Sequence, residues 1–397
     1  MEHLLFLVHR IPYPPNKGDK IRSYHMLREL SRHYRLHLGA FVDDDEDWRH
    51  QETVAQYCAS CCLLPLSPAR ATLRSLTGLL RGQALTLPYY HDRRLQEWVG
   101  QTRAREGVRK ILVYSSSMAQ YAEPWEAGVK RVIDFVDIDS DKWAQYARSC
   151  AWPKSAIYRR EARRLLAYEQ AIAGRFDYSF FVSEKEAGLF RELSGLGQDK
   201  VGFFDNGVDT AYFRPQEDRA SPYDGGERAI VFTGAMDYWA NVDAVSWFVE
   251  QVMPALRRHC PGLVFYIVGA RPAEQVRRLA CDDVVVTGRV ADVRPYLQHA
   301  LAVVAPLRIA RGVQNKVLEA MAMARPVLAS AQALEGIRAR PGEEVLQADG
   351  AAAYVEHLRN ILASPARARA LGQEARERVL RDYAWQPCLR TLLEKLD

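Results

Sequence analysis

The chain has little that would commit it to a membrane span, a disulfide framework or a nucleic-acid complex. No apolar run approaches the ~20 residues that a bilayer-spanning helix requires. The apolar run at 4–8 is followed at once by His9 and Arg10, too short for a secretory signal, and reads as a first strand. The seven cysteines are odd in number and scattered. Cys58, Cys61 and Cys62 form a lone C-x2-C-C with no second pair and no histidine at ligand spacing, which favours reduced thiols over zinc. Neither sign of charge is in large excess: 54 Lys and Arg face 49 Asp and Glu, leaving +5. With no aromatic-and-basic module in addition, nucleic-acid binding is not expected. The remaining expectation is a soluble or peripheral cytoplasmic protein, placed if anywhere at the inner face of the cytoplasmic membrane. At 397 residues the chain exceeds one ordinary core and suits two domains of about 150–200 residues each.

Strand-like and helix-like segments alternate throughout, which predicts α/β architecture with parallel sheets and crossover helices. In the first half the strand candidates are 4–8, 36–41, 63–66, 110–114, 132–136, 179–182 and 201–204. In the second they are 229–233, 264–268, 284–287, 302–306 and 327–329. Helices are expected notably at 21–33, 155–175, 242–259 and 313–323. The polar, turn-rich stretch 205–224 precedes a fresh strand–helix series and marks the domain boundary.

The stretch 305–330, APLRIARGVQNKVLEAMAMARPVLAS, reads as a buried strand, a basic loop, a helix opened at Gly312, a proline stop and a second buried strand. Ligands of open α/β sheets sit at the carboxyl ends of strands, against helix N-termini. That position carries Arg308, Arg311, Gly312 and Val313, with Lys316 and Glu319 on the helix. Gly312 would let a phosphate approach free backbone N–H groups, and Lys316 would add a point charge. Glu319 follows on the same face, a rise of about 4.5 Å, roughly the step from a diphosphate to ribose hydroxyls. A plainer reading stands beside this one: Val317, Leu318, Ala320, Met321 and Ala322 as core, with Lys316 and Glu319 as an ordinary surface pair.

The loop Pro306-Leu307-Arg308-x3-Gly312, then Lys316, Glu319-Ala320-Met321-Ala322 and Pro326-Val327 resembles the donor site of glycosyltransferase family 4, retaining enzymes of GT-B fold. The resemblance spans essentially the whole chain. The segment 134–143 and the string QNKVLEAMAM resemble the exosortase-associated sugar transferases of the PEP-CTERM system in particular. The implied fold is two Rossmann-like domains facing across a cleft: an acceptor-side domain at 1–207, a donor domain at 208–382, and a helix at 383–397 packing back on the first domain. Asn206-Gly207-Val208-Asp209 matches the family's interdomain linker. A nucleoside-diphosphate-sugar is implied as substrate, with no cofactor and no metal.

The resemblance extends donor contacts to Gly234, at the end of the first strand of the second domain, and to Arg289 and Val290 in a G-x-V-x-D turn (288–292) whose backbone would read the base edge. The same turn is equally a strand end with a helix cap near Asp292. There are two departures from the family. Ala235 and Asn241 stand where basic residues are usual, leaving the diphosphate to Arg308, Arg311 and Lys316. Arg311 also replaces the first glutamate of the family's E-x7-E pattern, whose second member is Glu319.

In the first domain the loop 10–20 matches the family's first strand–helix loop. It places Gly18 near the donor phosphate or sugar and Lys17, Asp19 and Arg22 on the acceptor side, or else forms a capped helix start with solvated charges. Asp137 and Asp139, at a later strand end, are the candidate acid–base residues; Asp139 and Ser140 also resemble helix N-caps. The family often has a histidine in a cleft loop of this domain, and Tyr114-Ser115-Ser116-Ser117 occupies that neighbourhood without one. Two Arg-rich stretches, 70–83 and 158–175, suit either a solvated surface or an anionic membrane presenting a polyprenyl-linked acceptor.

The implied activity is transfer of a hexosyl-type sugar to a glycan or lipid-linked acceptor in exopolysaccharide or cell-surface glycan biosynthesis. The cations Arg311 and Lys316 would stabilise the departing diphosphate. The competing expectations are a nucleotide-sugar 2-epimerase-like isomerase and a non-catalytic nucleotide-sugar-binding protein.

Overall fold

A computed structural model describes residues 1–15, 18–123, 128–310 and 313–397. It divides into two units, Met1–Asp205 with Leu389–Asp397, and Asn206–Cys388. The first carries a seven-stranded sheet: β1 (His3–Val8), β2 (Arg35–Val42), β3 (Ser60–Pro65), β4 (Lys110–Tyr114), β5 (Lys130–Val136), β6 (Tyr178–Phe181) and β7 (Val201–Phe203). Its order is β3-β2-β1-β4-β5-β6-β7, parallel at every step. The second carries β8 (Arg228–Thr233), β9 (Leu263–Val268), β10 (Val284–Gly288), β11 (Ala302–Ala305), β12 (Val327–Ala329) and β13 (Leu346–Gln347), ordered β10-β9-β8-β11-β12-β13 and also parallel.

Both sheets follow from their sequences. Leu4, Leu5, Phe6, Leu7 and Val8 are all fully buried, as a central strand covered by helices on both faces must be. In each sheet the strand order reverses once, between β1 and β4 and between β8 and β11. Those are the topological switch points at which open α/β sheets leave a crevice for ligands.

Every strand expected from the sequence forms, within one to three residues at its ends; the two-residue β13 was not anticipated. The expected helix at 242–259 is three pieces: Trp239–Trp247, a π-helical turn at Phe248–Val252, and Met253–His259. Pro254 lies just after the wide turn, and its missing N–H breaks the regular ladder. The helix expected from 313 begins only at Asn315, because Gln314 is extended (φ −87°, ψ 100°).

Candidate functional site

At the switch point of the second unit, the ends of three neighbouring strands press close together. The Gly234 N–H, after β8, donates to Val268 O (3.1 Å), and the Gly269 N–H, after β9, donates to Gly288 O (3.2 Å). A Cβ on Gly269 would lie 1.7 Å from Gly234 O, and one on Gly234 would meet Asn241 Nδ2 at 2.7 Å and Lys316 Nζ at 3.2 Å. Glycine is therefore required by space at 269, where the obstacle is backbone, while a side chain at 234 would displace the ends of Asn241 and Lys316.

Lys316 reaches this edge from the first turn of the helix Asn315–Ala322. Its Nζ donates to Asn241 Oδ1 and lies 4.4 Å from the centre of the Phe232 ring, while Asn241 Nδ2 donates to Ala235 O (2.9 Å). Asn241, noted from sequence only as a missing lysine, thus ties the glycine turn to the lysine. Burial pulls the Lys316 ammonium down to about 7 against the opposing pull of Glu319. Burial likewise pushes Glu319 up to about 7 against the pull of Lys316. Both are half-buried, and charges partly withdrawn from water are costly without further partners. Around them Thr233 Oγ1 and Asn315 Oδ1 are buried and lack a hydrogen-bond partner among the described residues. Native structures seldom leave such groups unmatched, and a bound polar ligand would match them. Half-buried at a switch point, with Lys316 bonded to Asn241, this pair departs from the plainer reading of Lys316 and Glu319 as a surface pair.

The other donor-side candidates fare differently. Arg308 is exposed but already committed: its Nε donates to Asp243 Oδ2 at 2.9 Å, a partner that the sequence did not suggest. Arg289 is exposed after β10, Val290 packs against the core, and Val313 lies against Gly336. Asp292 Oδ1 accepts from Arg294 N (2.9 Å), so the cap reading of that turn holds irrespective of any ligand. Arg311, Gly312 and, in the first unit, Lys17 lie outside the described residues.

In the first unit a cleft of about 600 Å³ opens at the carboxyl ends of the strands. Asp19, Asp137 and Asp139 line it, together with His9, Glu161 and Lys142 and the rings of Tyr90, Tyr114, Trp143 and Tyr158. Lys142 Nζ lies 2.8 Å from Asp137 Oδ2 and 3.4 Å from Asp139 Oδ1; burial lowers its pKa, but the two carboxylates together raise it above the usual lysine value. The backbone is strained where it borders the cleft: Ser115 and Val136 have φ of +79° and +70°, and a β-branched residue rarely adopts such a value. Asp139 is the first residue of the helix Asp139–Ser149 and does not cap it; Ser140 Oγ donates instead to the buried Glu169.

Two expectations for this unit are corrected. Arg22 is not on an acceptor surface. It is fully buried, its Nε donates to Asp134 Oδ2 (2.7 Å) and its Nη1 to Phe204 O (3.0 Å), and its guanidinium stacks 3.6 Å from the Phe204 ring. Such a bidentate, stacked arginine holds β5 and the end of β7 to the first helix. The cleft also does hold a histidine. His9, directly after β1, stacks on Tyr114 (5.8 Å between centroids) and lies 3.5 Å from Asp19 Oδ2. Although burial alone would raise it, Asp19 is held well below the usual carboxylate range by His9 and Arg10. The signal was the position of His9 immediately after a central strand. Gly18 is exposed at the start of the helix Gly18–His33, with nothing within 4 Å of a notional Cβ.

Comparisons with known proteins agree with this geometry. Residues 227–364, within the second unit, match the family model described as "Glycosyl transferases group 1". Among solved structures, sucrose-phosphate synthase from Thermosynechococcus elongatus is similar over 99% of this chain and 98% of its own, at 19% identity and a TM-score of 0.67. Anabaena HepE in complex with UDP is similar over 100% and 99%, at 14% identity and 0.68. WaaG, a glycosyltransferase involved in lipopolysaccharide biosynthesis, is similar over 99% and 98%, at 13% and 0.58. No curated protein sequence matches the chain. The fold of the chain is the GT-B fold of these solved structures, and the glycosyl transferase match lies in its second unit.

Proposed function

We propose that the protein is a retaining glycosyltransferase that moves a sugar from a nucleoside-diphosphate-sugar to a glycan or lipid-linked acceptor in the assembly of cell-surface glycans. The observation that carries the reading is the Lys316–Glu319 pair, half-buried at the glycine-lined switch point of the second unit. As the sugar–phosphate bond breaks, negative charge builds on the diphosphate. Lys316 beside free backbone amides at the helix start stabilises that charge. Glu319 accepts the ribose hydroxyls. Attack by the acceptor on the face the diphosphate leaves needs no protein nucleophile. Protein cations neutralise the phosphates, so transfer is expected to survive chelators. The solved complexes of HepE with UDP and UDP-glucose make uridine nucleotides the first to try.

The acceptor belongs in the cleft of the first unit. Its rings suit the faces of a sugar, and its carboxylates Asp137 and Asp139 suit hydroxyls. With Asp19 and Glu161 these outnumber Lys142, so an uncharged saccharide is favoured over a uronic acid or phosphate. A lipid carrier is supported by the neighbouring helices Pro68–Ser75 and Thr77–Leu80, where Leu73 and Leu80 are 71% and 91% exposed. Arg70 and Arg81 are exposed beside them, whereas Arg74 is spent on the carbonyls of Pro88 and Tyr89.

Thermal shifts with UDP, GDP, ADP and their sugar conjugates test the donor site. A ligand at a hundred times its dissociation constant stabilises by about 2.7 kcal/mol. One nucleotide is expected to stabilise the wild type and to lose its effect in Lys316→Ala and Glu319→Ala. Equal responses in all three proteins would remove the donor site from this pair. A second reading, a 2-epimerase-like isomerase, gains from His9 and Asp19 in the cleft; turnover of the donor without any acceptor would select it. Binding without turnover across a broad acceptor set would select a non-catalytic binder.

A further inference from the structure

At the N-terminal ends of the strands of the first unit, away from the cleft, two imidazoles and a carboxylate converge. His3 opens β1, His37 stands on β2, and Glu106 closes the helix Arg93–Glu106. His3 Nδ1 lies 2.9 Å from His37 Nε2 and 3.6 Å from Glu106 Oε2, and the three ligand atoms all fall within 4.8 Å of one another. His37 is 2% exposed, and its second nitrogen, Nδ1, is 2.8 Å from Ser60 Oγ at the start of β3.

We propose that His3, His37 and Glu106 form a divalent-metal site suited to zinc, independent of the donor chemistry. Tetrahedral zinc, with bonds of about 2.0–2.2 Å to nitrogen and oxygen, places neighbouring ligand atoms roughly 3.3–3.5 Å apart. The observed separations of 2.9 and 3.6 Å lie on either side of that range. The third separation, between His37 and Glu106, is within 4.8 Å, and the two imidazole planes are within 13° of parallel; binding therefore asks the imidazole pair to open by a few tenths of an ångström, both rings to tilt toward a common point, and Glu106 to swing inward by up to about 1.4 Å. Metal binding at Nδ1 requires His3 to carry its proton on Nε2 instead, a change of tautomer exchanged through solvent that releases no net proton from the neutral pair. Ser60 completes the set: with His37 Nδ1–H donating to its hydroxyl, Nε2 keeps its lone pair for the metal, the usual orienting arrangement around a ligating histidine. The side chains of His3 and Glu106 are 21% and 35% exposed, which leaves the fourth position to water. Magnesium and calcium prefer all-oxygen sets, whereas two imidazoles and one carboxylate suit zinc. The cysteines of the C-x2-C-C take no part in this group. Bound metal would tie β1, β2 and the helix Arg93–Glu106 together at the end of the sheet remote from the substrate cleft.

The test uses full-length protein without a polyhistidine tag, dialysed against zinc and then against metal-free buffer. One zinc per chain is expected by mass spectrometry, cobalt is expected to give the intense visible absorption of a tetrahedral site, and zinc is expected to raise the melting temperature by several degrees. Glu106→Gln and His3→Gln, at partly exposed positions that leave the core intact, are each expected to lose zinc affinity at least tenfold and to lose the cobalt absorption. Wild-type protein that retains no more zinc than Glu106→Gln, or that melts at the same temperature with and without zinc, overturns the proposal and leaves a hydrogen-bonded pair.

Discussion

Lys316 and Asn241 show how one hydrogen bond organises a site. Asn241 is buried, and its amide joins the glycine turn after β8 to the lysine on a helix far along the chain. Asn241→Ala would leave a half-buried ammonium without its acceptor, at an expected cost of about 1–3 kcal/mol in stability, read by urea unfolding. The nucleotide-induced thermal shift should shrink in parallel. Glu169 makes a different prediction. Burial, reinforced by Asp139, pushes it up to about 8, although Ser140 donates to it. Unfolded, it would ionise near 4.5. Between those values the unfolded chain gives up a proton that the folded chain keeps. Its stabilising contribution is therefore full below about pH 4.5 and is lost as pH rises through about 8. At about 1.4 kcal/mol per unit of separation, the loss is on the order of 5 kcal/mol. Glu169→Gln should be flatter in stability between pH 5 and 8; a slope equal to the wild type's would contradict this.

At the scale of elements, two glycines predict opposite signs. Gly269→Ala would drive a methyl into the Gly234 carbonyl. It should destabilise by about 1–3 kcal/mol and abolish nucleotide binding, because β8 and β9 can no longer close side by side. Gly100 lies inside the helix Arg93–Glu106 with nothing within 4 Å of a notional Cβ. Gly100→Ala should stabilise by roughly 0.5–1 kcal/mol. Melting curves of both variants check the pair. The switch points are also properties of elements: strand order decides that the segments after β1 and β4 line one crevice, and no local pattern records it.

Taken whole, the molecule carries an apolar, arginine-flanked tip on the first unit and a half-buried charge pair in the second. The tip leads to a flotation prediction. Wild-type protein should rise with vesicles rich in anionic lipid and stay down with neutral ones, and Leu73→Asp with Leu80→Asp should remain in solution in both. No described helix is long and apolar enough to cross a membrane, so retention would rest on this tip. High salt should weaken it, since arginine attraction to a charged surface is screened.

The sequence by itself determined the alternation of buried strands and helices, because a parallel sheet covered on both faces needs runs such as Leu4–Val8 that are apolar throughout. It also determined the candidate pair Lys316 and Glu319, because helical periodicity puts residues three apart on one face. Tertiary structure alone decided what those charges meet. It gave Lys316 to Asn241 and Arg308 to Asp243, took Arg22 from the surface and sealed it against Asp134, and brought His9 beside Asp19 in the cleft. Each of these pairs joins residues on different elements, so their meeting depends on strand order and helix placement. A side chain's spacing along the chain shows which face it shares; only the packed fold sets its partner and its distance from water, and with them its charge and its chemistry.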